Sequence, residues 1–147
     1  SLDHNQMAEL YVVRTELEGL AAELAARHAT DEELRVLRRM VEDDRERLSD
    51  PAALSRSNRR FHKQLHLASH NMFLVQQLDL VHRSMALLAT TSLAIEGRGS
   101  DALTEHDCIV TALEGRNSAA ARAALTAHIS TAYETRLRSD SGRDVSY

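Results

Sequence analysis

Turn-forming residues are scarce in this chain, and their scarcity restricts the fold more than any other feature of the sequence. The 147 residues include five glycines and one proline. A many-stranded sheet needs such residues at most of its turns, whereas a helical bundle needs only a few helix stops. Alanine and leucine, which favour helices, dominate the composition. The sequence therefore predicts an all-α protein.

Apolar residues recur at three- and four-residue steps, which is the spacing of one face of an α-helix. Thr30 with Glu33 predicts a capping box, and the pair Asp50-Pro51 predicts a helix start. Gly97 and Gly99 indicate the main surface loop, which separates a fourth from a fifth helix. The predicted helices cover about residues 6–28, 31–48, 51–70, 71–88 with an extension up to Leu93, 101–114 and 118–137.

These six helices predict a single antiparallel bundle over residues 1–138. The polar tail, residues 139–147, is predicted to be disordered. Because the chain opens with Ser1 and enters a helical pattern almost at once, we interpret it as a domain cut from a longer protein.

Charge and cysteine content exclude several classes of protein. The formal net charge is -4, which argues against binding of nucleic acid or an anionic membrane by the surface of this chain. A single cysteine, Cys108, excludes an internal disulfide framework and suits a reducing cytoplasm. The longest apolar stretch, Met85 to Ile95, is too short to cross a bilayer. We therefore expect a cytoplasmic domain without membrane contact.

Eight histidines are a high count, and several fall on otherwise apolar helix faces. Asn58 and His62 lie four residues apart and share one face of the third helix, which His66 extends. His106 and His128 are expected to point inward from the fifth and sixth helices. Imidazoles with one oxygen ligand suit zinc, nickel, manganese or iron better than magnesium or calcium. A hydrogen-bonded core histidine is the commoner role for a single helical His, so spacing alone leaves both interpretations open.

The remaining histidines lack a comparable setting, and we interpret them as surface or capping residues: His4, His28, His70 and His82. The sequence has no His-Glu-x-x-His, P-loop or Gly-x-Ser-x-Gly motif. Asp79 and His82 repeat an acid-to-His spacing once, whereas a di-iron bundle needs that spacing twice with two further glutamates.

Motifs along nearly the whole chain resemble the FCD ligand-binding domain of FadR-type regulators in the GntR superfamily. The first helix carries Arg14, Leu17 and Glu18 in an Arg-x-x-Leu-Glu pattern. The third helix carries Asn58-Arg-Arg-Phe-His62, followed by a Ser-x-Asn pattern. Glu105-His106 and a final helix leading to His128 follow in the family's order. The resemblance implies an all-α sensor, with residues 1–138 as an effector-binding and dimerisation domain.

Residue by residue, the resemblance places Asn58, His62, His106 and His128 at the family's metal-ligand positions. Asn58 stands where Asp is commoner, so the site would lose one negative charge and some affinity for a divalent cation. Zinc is the expected metal, with nickel, manganese or iron as alternatives.

The resemblance also places Arg14 in the effector pocket, where a planar guanidinium could hold a carboxylate through two hydrogen bonds. Arg83 is a second candidate for this role, although it could instead pair with Asp79 one turn earlier.

Three functions are compatible with these residues. The leading hypothesis is a homodimeric sensor that binds an organic acid and controls DNA binding through an N-terminal winged-helix domain absent from this chain. A metal-dependent hydrolase or transferase is the alternative, but Glu105 is expected to point away from an ion bound by His106. A dimerisation bundle without a ligand would leave the inward-facing histidines unexplained.

Overall fold

The computed structural model describes residues 3–87 and 97–145, with side chains through residue 139. It contains six α-helices and, within those ranges, no strand. The helices are α1 (His4–His28), α2 (Asp31–Asp44), α3 (Pro51–Ala68), α4 (Met72–Met85), α5 (Arg98–Glu114) and α6 (Ser118–Val145), with a 3₁₀ turn at Arg45–Arg47. The predicted all-α bundle is therefore confirmed.

Polar side chains fix the helix starts that the sequence predicted. Thr30 and Glu33 form a reciprocal capping box at the start of α2. Asp50 accepts a hydrogen bond from the backbone N–H of Ala53, and Pro51 follows it at the first helical position. These caps satisfy backbone donors that have no partner inside the helix. The side chains of Asn71 and Asn117 likewise accept hydrogen bonds from backbone N–H groups at the starts of α4 and α6.

Three predicted helix boundaries are wrong. The second helix gives way to the 3₁₀ turn after Asp44 instead of continuing to Leu48. The fourth ends at Met85, and its predicted extension through Leu88 and Leu93 lies outside the described residues. The fifth helix begins at Arg98, directly after Gly97. Gly97 has a φ of 78°, a left-handed conformation that residue types other than glycine rarely adopt. Gly99 therefore belongs to the first turn of α5 and not to a loop.

The end of α6 also differs from the sequence prediction. The α6 backbone is helical through Val145, beyond the predicted helix end at Leu137. It continues because residues 138–145 contain no proline and a single glycine, Gly142, so nothing in them is a strong helix stop.

The first and last helices pack side by side in opposite directions. Tyr11 near the start of α1 stacks on Tyr133 of α6, with ring centroids 4.4 Å apart. Near the other end of α1, the Ser118 hydroxyl donates to the backbone carbonyl of Glu23. A Cβ atom added to Gly19 would lie 3.0 Å from side-chain atoms of Arg122 and Thr126, so the helices approach closely there.

The apolar core lies between α1, α6 and the helices that pack around them. All six helices contribute fully buried members, which include Ala22, Leu37, Leu65, Leu78, Leu113 and Leu125. Burying a leucine side chain contributes about 1.5–3 kcal/mol. Among the described residues, no helix combines the length and the apolar character needed to cross a bilayer.

Candidate functional site

Three buried imidazoles from three helices meet inside the bundle. His62 lies on α3, His106 on α5 and His128 on α6, and each is at most 4% exposed. The Nε2 atom of His128 lies 3.3 Å from the Nε2 atom of His62 and 3.3 Å from that of His106. A tetrahedral zinc ion with Zn–N bonds of about 2.0–2.1 Å separates its ligand nitrogens by about 3.4 Å. The separations therefore match those of ligands around one zinc-sized ion.

A partly buried carboxylate, that of Glu105, contacts the ring nitrogen of His128 that faces away from the other two imidazoles. Oε1 of Glu105 lies 2.5 Å from Nδ1 of His128. Because a carboxylate only accepts hydrogen bonds, Nδ1 of His128 carries the proton and donates it, which leaves a lone pair on Nε2. That lone pair faces the other two imidazoles, as a metal ligand requires.

Arg98 holds Glu105 in this position through two hydrogen bonds of 2.7 and 2.8 Å. Burial raises the pKa of Glu105, but hydrogen bonds from His128 and Arg98 outweigh it and hold the pKa at about 2. We expected Glu105 to point away from the ion. This expectation did not include its role as the acceptor of a hydrogen bond from His128. Arg98 was missed because the sequence placed it in a loop.

The three imidazoles are uncharged at neutral pH. Burial lowers the pKa of His62 to about 3, and it also lowers the pKa values of His106 and His128. Burial has this effect because moving a charged imidazolium out of water is unfavourable. Metals bind the neutral form of histidine, so this set can take up an ion without first losing protons.

Asn58 lies one turn before His62 on α3 and is partly buried. It lines a small recess together with His106, Asp44 and Leu54. Asp44 is buried and accepts a hydrogen bond of 2.6 Å from the Ser57 hydroxyl. Asn58 thus lies beside the three-histidine cluster, and its role as an oxygen ligand stays a prediction.

A second polar cluster surrounds Glu18, which is 0% exposed. Its Oε2 atom lies 2.9 Å from Nε2 of His66, and its Oε1 atom lies 3.0 Å from Nε2 of His82. Nδ1 of His62 is 3.5 Å from Oε2 and has no hydrogen-bond partner. Burial raises the pKa of Glu18, but the interactions of its carboxylate with His66 and His62 lower it well below its ordinary value.

This second cluster was not predicted from the sequence. His82 is not a surface or capping residue, because its side chain is 28% exposed and contacts a fully buried carboxylate. The only available signal was the four-residue spacing from Arg14 to Glu18 and from His62 to His66, which places each pair on one helix face.

The sequence profile of the FCD domain matches residues 9–131. The chain belongs to the FCD domain family. It is 29% identical over 131 residues to the uncharacterized HTH-type transcriptional regulator YdhC of Bacillus subtilis (strain 168), covering 87% of this chain and 58% of that protein. This FCD domain thus spans 58% of the length of that relative.

Solved structures of regulators have the same fold. Streptococcus agalactiae GntR is 28% identical, with a TM-score of 0.73 over 87% of this chain and 58% of its own. E. coli McbR/YncC is 17% identical, with a TM-score of 0.75 over 89% of this chain and 67% of its own. The second similarity concerns the fold alone.

The two arginines that we predicted as effector ligands occupy different environments in this FCD domain. Arg14 is 7% exposed and lies with Nε 3.7 Å from Oε1 of Glu18, too far for a hydrogen bond. The buried Nε of Arg14 has no hydrogen-bond partner. Arg83 is exposed on α4. The structure therefore brings Arg14, but not Arg83, into the buried polar interior.

Proposed function

We propose that this FCD domain is the sensing and dimerisation half of a GntR-type transcriptional regulator, and that it binds a small organic acid beside a divalent transition metal. The observation that carries the proposal is the meeting of three neutral, buried imidazoles at Nε2 separations of 3.3 Å. His62, His106 and His128 would hold the ion, with Asn58 as an oxygen ligand. Zinc suits this set best, and nickel, manganese or iron would also fit.

Arg14 is the proposed anchor for the acid. Its guanidinium is buried, always charged and has an unused donor at Nε. A buried donor without a partner is unfavourable, and a carboxylate that accepts from it would remove that cost. The metal would take another oxygen of the same ligand by expanding its coordination beyond the four protein ligands. Arg83 would contribute only if its exposed side chain reached the bound acid, so we assign it the smaller part.

The sensor is favoured over the metal-dependent hydrolase or transferase because the neighbouring carboxylates are already engaged. Both oxygens of Glu105 accept from Arg98, and one also accepts from His128. Asp107 pairs with Arg38 of α2. A general base needs a carboxylate free to take a proton from a metal-bound water. We therefore propose that the domain is not an enzyme.

In the proposed regulator, the acid changes the relative placement of two N-terminal DNA-binding domains in a cytoplasmic homodimer. Exposed apolar side chains on α4 support a dimer, with Phe73 82% and Leu80 56% exposed. Sedimentation at several concentrations measures the oligomeric state. Phe73→Ser should shift the domain toward monomer if this surface forms the interface.

The test combines metal analysis with a thermal-shift screen of small carboxylic acids, before and after chelation. We expect bound zinc, and an acid that raises the Tm less after chelation, because a ligand that binds only the folded state stabilises it. His106→Ala should remove the effect of the metal, and Arg14→Gln that of the acid. Arg39→Gln, on the exposed face of α2, is the matched control. An acid response unchanged in Arg14→Gln would contradict the proposed anchor.

A further inference from the structure

A buried carboxylate on α1 lies behind one of the three clustered imidazoles. Nε2 of His62 faces the cluster, 3.3 Å from Nε2 of His128. The other ring nitrogen of His62, Nδ1, lies 3.5 Å from Oε2 of Glu18 and is buried without a hydrogen-bond partner. Glu18 and the cluster thus lie on opposite sides of one imidazole ring. Although α1 supplies none of the three histidines, Glu18 is placed to act on the cluster through His62.

Two further histidines fix the direction of the Glu18 carboxylate. Nε2 of His66 lies 2.9 Å from Oε2, and Nε2 of His82 lies 3.0 Å from Oε1. Burial raises the pKa of Glu18, but its interactions with His66 and His62 hold it well below the ordinary value, so the group is ionised at neutral pH. An ionised carboxylate only accepts hydrogen bonds, so both Nε2 atoms carry a proton, whichever charge the two rings have. These hydrogen bonds hold Oε2 on the side of His62.

The ionised oxygen decides which nitrogen of His62 carries the ring proton. Burial lowers the pKa of His62 to about 3, so at neutral pH its ring has one proton, on Nδ1 or on Nε2. With the proton on Nε2, the lone pair of Nδ1 would face an anionic oxygen, which is repulsive. With the proton on Nδ1, a polar N–H faces that oxygen, which is attractive even beyond the ordinary range of about 2.7–3.2 Å. The second arrangement leaves a lone pair on Nε2.

The three-histidine cluster is compatible with this tautomer of His62. Nε2 of His128 has one lone pair, because Nδ1 of the same ring donates to Glu105. That lone pair can accept one proton, from Nε2 of either His62 or His106, both of which are 3.3 Å away. His106 can be the donor, so the proton of His62 is not needed there.

We propose, on the basis of the metal site proposed above, that Glu18 is a positioning residue for that site: it keeps the ring proton of His62 on Nδ1, so that Nε2 presents a lone pair to the ion. Glu18 thereby does for His62 what Glu105 does for His128, and two of the three imidazoles have a carboxylate behind them. Carboxylates in this position fix the orientation of metal-ligating histidines and make them more basic, which strengthens metal binding.

Long-range proton–nitrogen NMR correlations in the isotope-labelled wild-type domain test the proposal directly. They report which nitrogen of each imidazole is protonated, and the spectrum of His62→Gln assigns the signals of His62. In the presence of a chelator we expect the proton of His62 on Nδ1. After addition of zinc we expect the shift of a metal-bound nitrogen at Nε2. A proton on Nε2 in the chelated domain would overturn the proposal, and so would zinc bound through Nδ1.

Glu18→Gln keeps the size of the side chain and removes its charge. We expect the proton of His62 to move partly to Nε2 in the chelated variant, and zinc affinity to fall about 10–100-fold in competition with a chelating dye. Glu23→Gln is the matched control, because it removes a charge from the same helix at a residue that contacts Arg122 instead of the cluster. It should change neither result. Circular dichroism checks that both variants are helical, and the wild-type spectra decide the matter if Glu18→Gln does not fold.

The results distinguish the role of Glu18 from the metal-binding function on which it depends. A domain that takes up no zinc, but has the proton of His62 on Nδ1 and loses this preference in Glu18→Gln, would contradict the metal site and support the control of the His62 tautomer by Glu18. Equal zinc affinity in Glu18→Gln and wild type would overturn the positioning role and leave the three-histidine site intact. A lower affinity with the proton still on Nδ1 would mean that Glu18 acts by charge alone, which would also overturn the proposal.

Discussion

Mild acid should destabilise the metal-free domain through its buried imidazoles. Burial lowers the pKa of His62 from 6.5 to about 3. Between these two pH values the unfolded chain binds a proton that the native protein does not bind. The free energy of unfolding is therefore highest above the unfolded pKa of about 6.5, and it falls as the pH decreases toward 3.

The expected loss follows from the linkage between protonation and folding. At about pH 5, His62 alone lowers the free energy of unfolding by about 2 kcal/mol relative to neutral pH. His106 and His128 act in the same direction, since burial lowers their pKa values too. Glu105 and Glu18 have lowered pKa values, so their contribution is lost mainly below the ordinary carboxyl value of 4.5.

Urea unfolding followed by circular dichroism in the presence of a chelator measures this effect at about pH 7.5 and about pH 5. The wild-type domain should lose more than about 2 kcal/mol between the two conditions. His62→Gln should lose about 2 kcal/mol less than wild type, whereas His28→Gln, at an exposed position, should behave like wild type. An equal loss in His62→Gln and wild type would refute the reasoning.

Three further predictions concern the site and the core. Glu105→Gln should weaken zinc binding about 10–100-fold in a competition assay with a chelating dye, because it weakens the contact that orients His128; unchanged affinity would show that this contact does not matter. Asn58→Asp should tighten zinc binding in the same assay by adding a negative charge, and weaker binding would place residue 58 outside the ligand set. Leu125→Ala should lower the free energy of unfolding by about 2–5 kcal/mol in urea, since Leu125 is 0% exposed; a loss below about 1 kcal/mol would contradict its place in the core.

Local signals in the sequence predicted the helices and the inward-facing positions of His106 and His128, but not the cluster around Glu18. Caps such as Asp50 act on the next few residues, so they can be identified without the fold. His106 and His128 were predicted to face inward because their apolar neighbours recur at helical spacing. Their convergence with His62 could be expected only through the family resemblance, since it depends on how three helices pack.

The features that sequence reasoning missed depend on partners far along the chain. Glu18 is buried because His66 and His82 reach it from 48 and 64 residues away. Nothing within one helical turn of Glu18 indicates those partners. The early start of α5 also depends on a partner beyond one helical turn, because Arg98 donates hydrogen bonds to Glu105, seven residues further along the chain. Gly97 and Gly99 instead suggested a loop, because glycine is usually unfavourable inside a helix.

The position of His128 on α6 links metal capture to the docking of that helix. Its Nε2 meets that of His62, a residue 66 positions earlier. Contacts so distant in sequence form late in folding, because the loop between them must close first. During synthesis the growing chain would contain His62 and His106 but not His128 until α6 emerges from the ribosome. A zinc ion held by all three histidines would therefore mark a domain in which α6 has docked against α3 and α5.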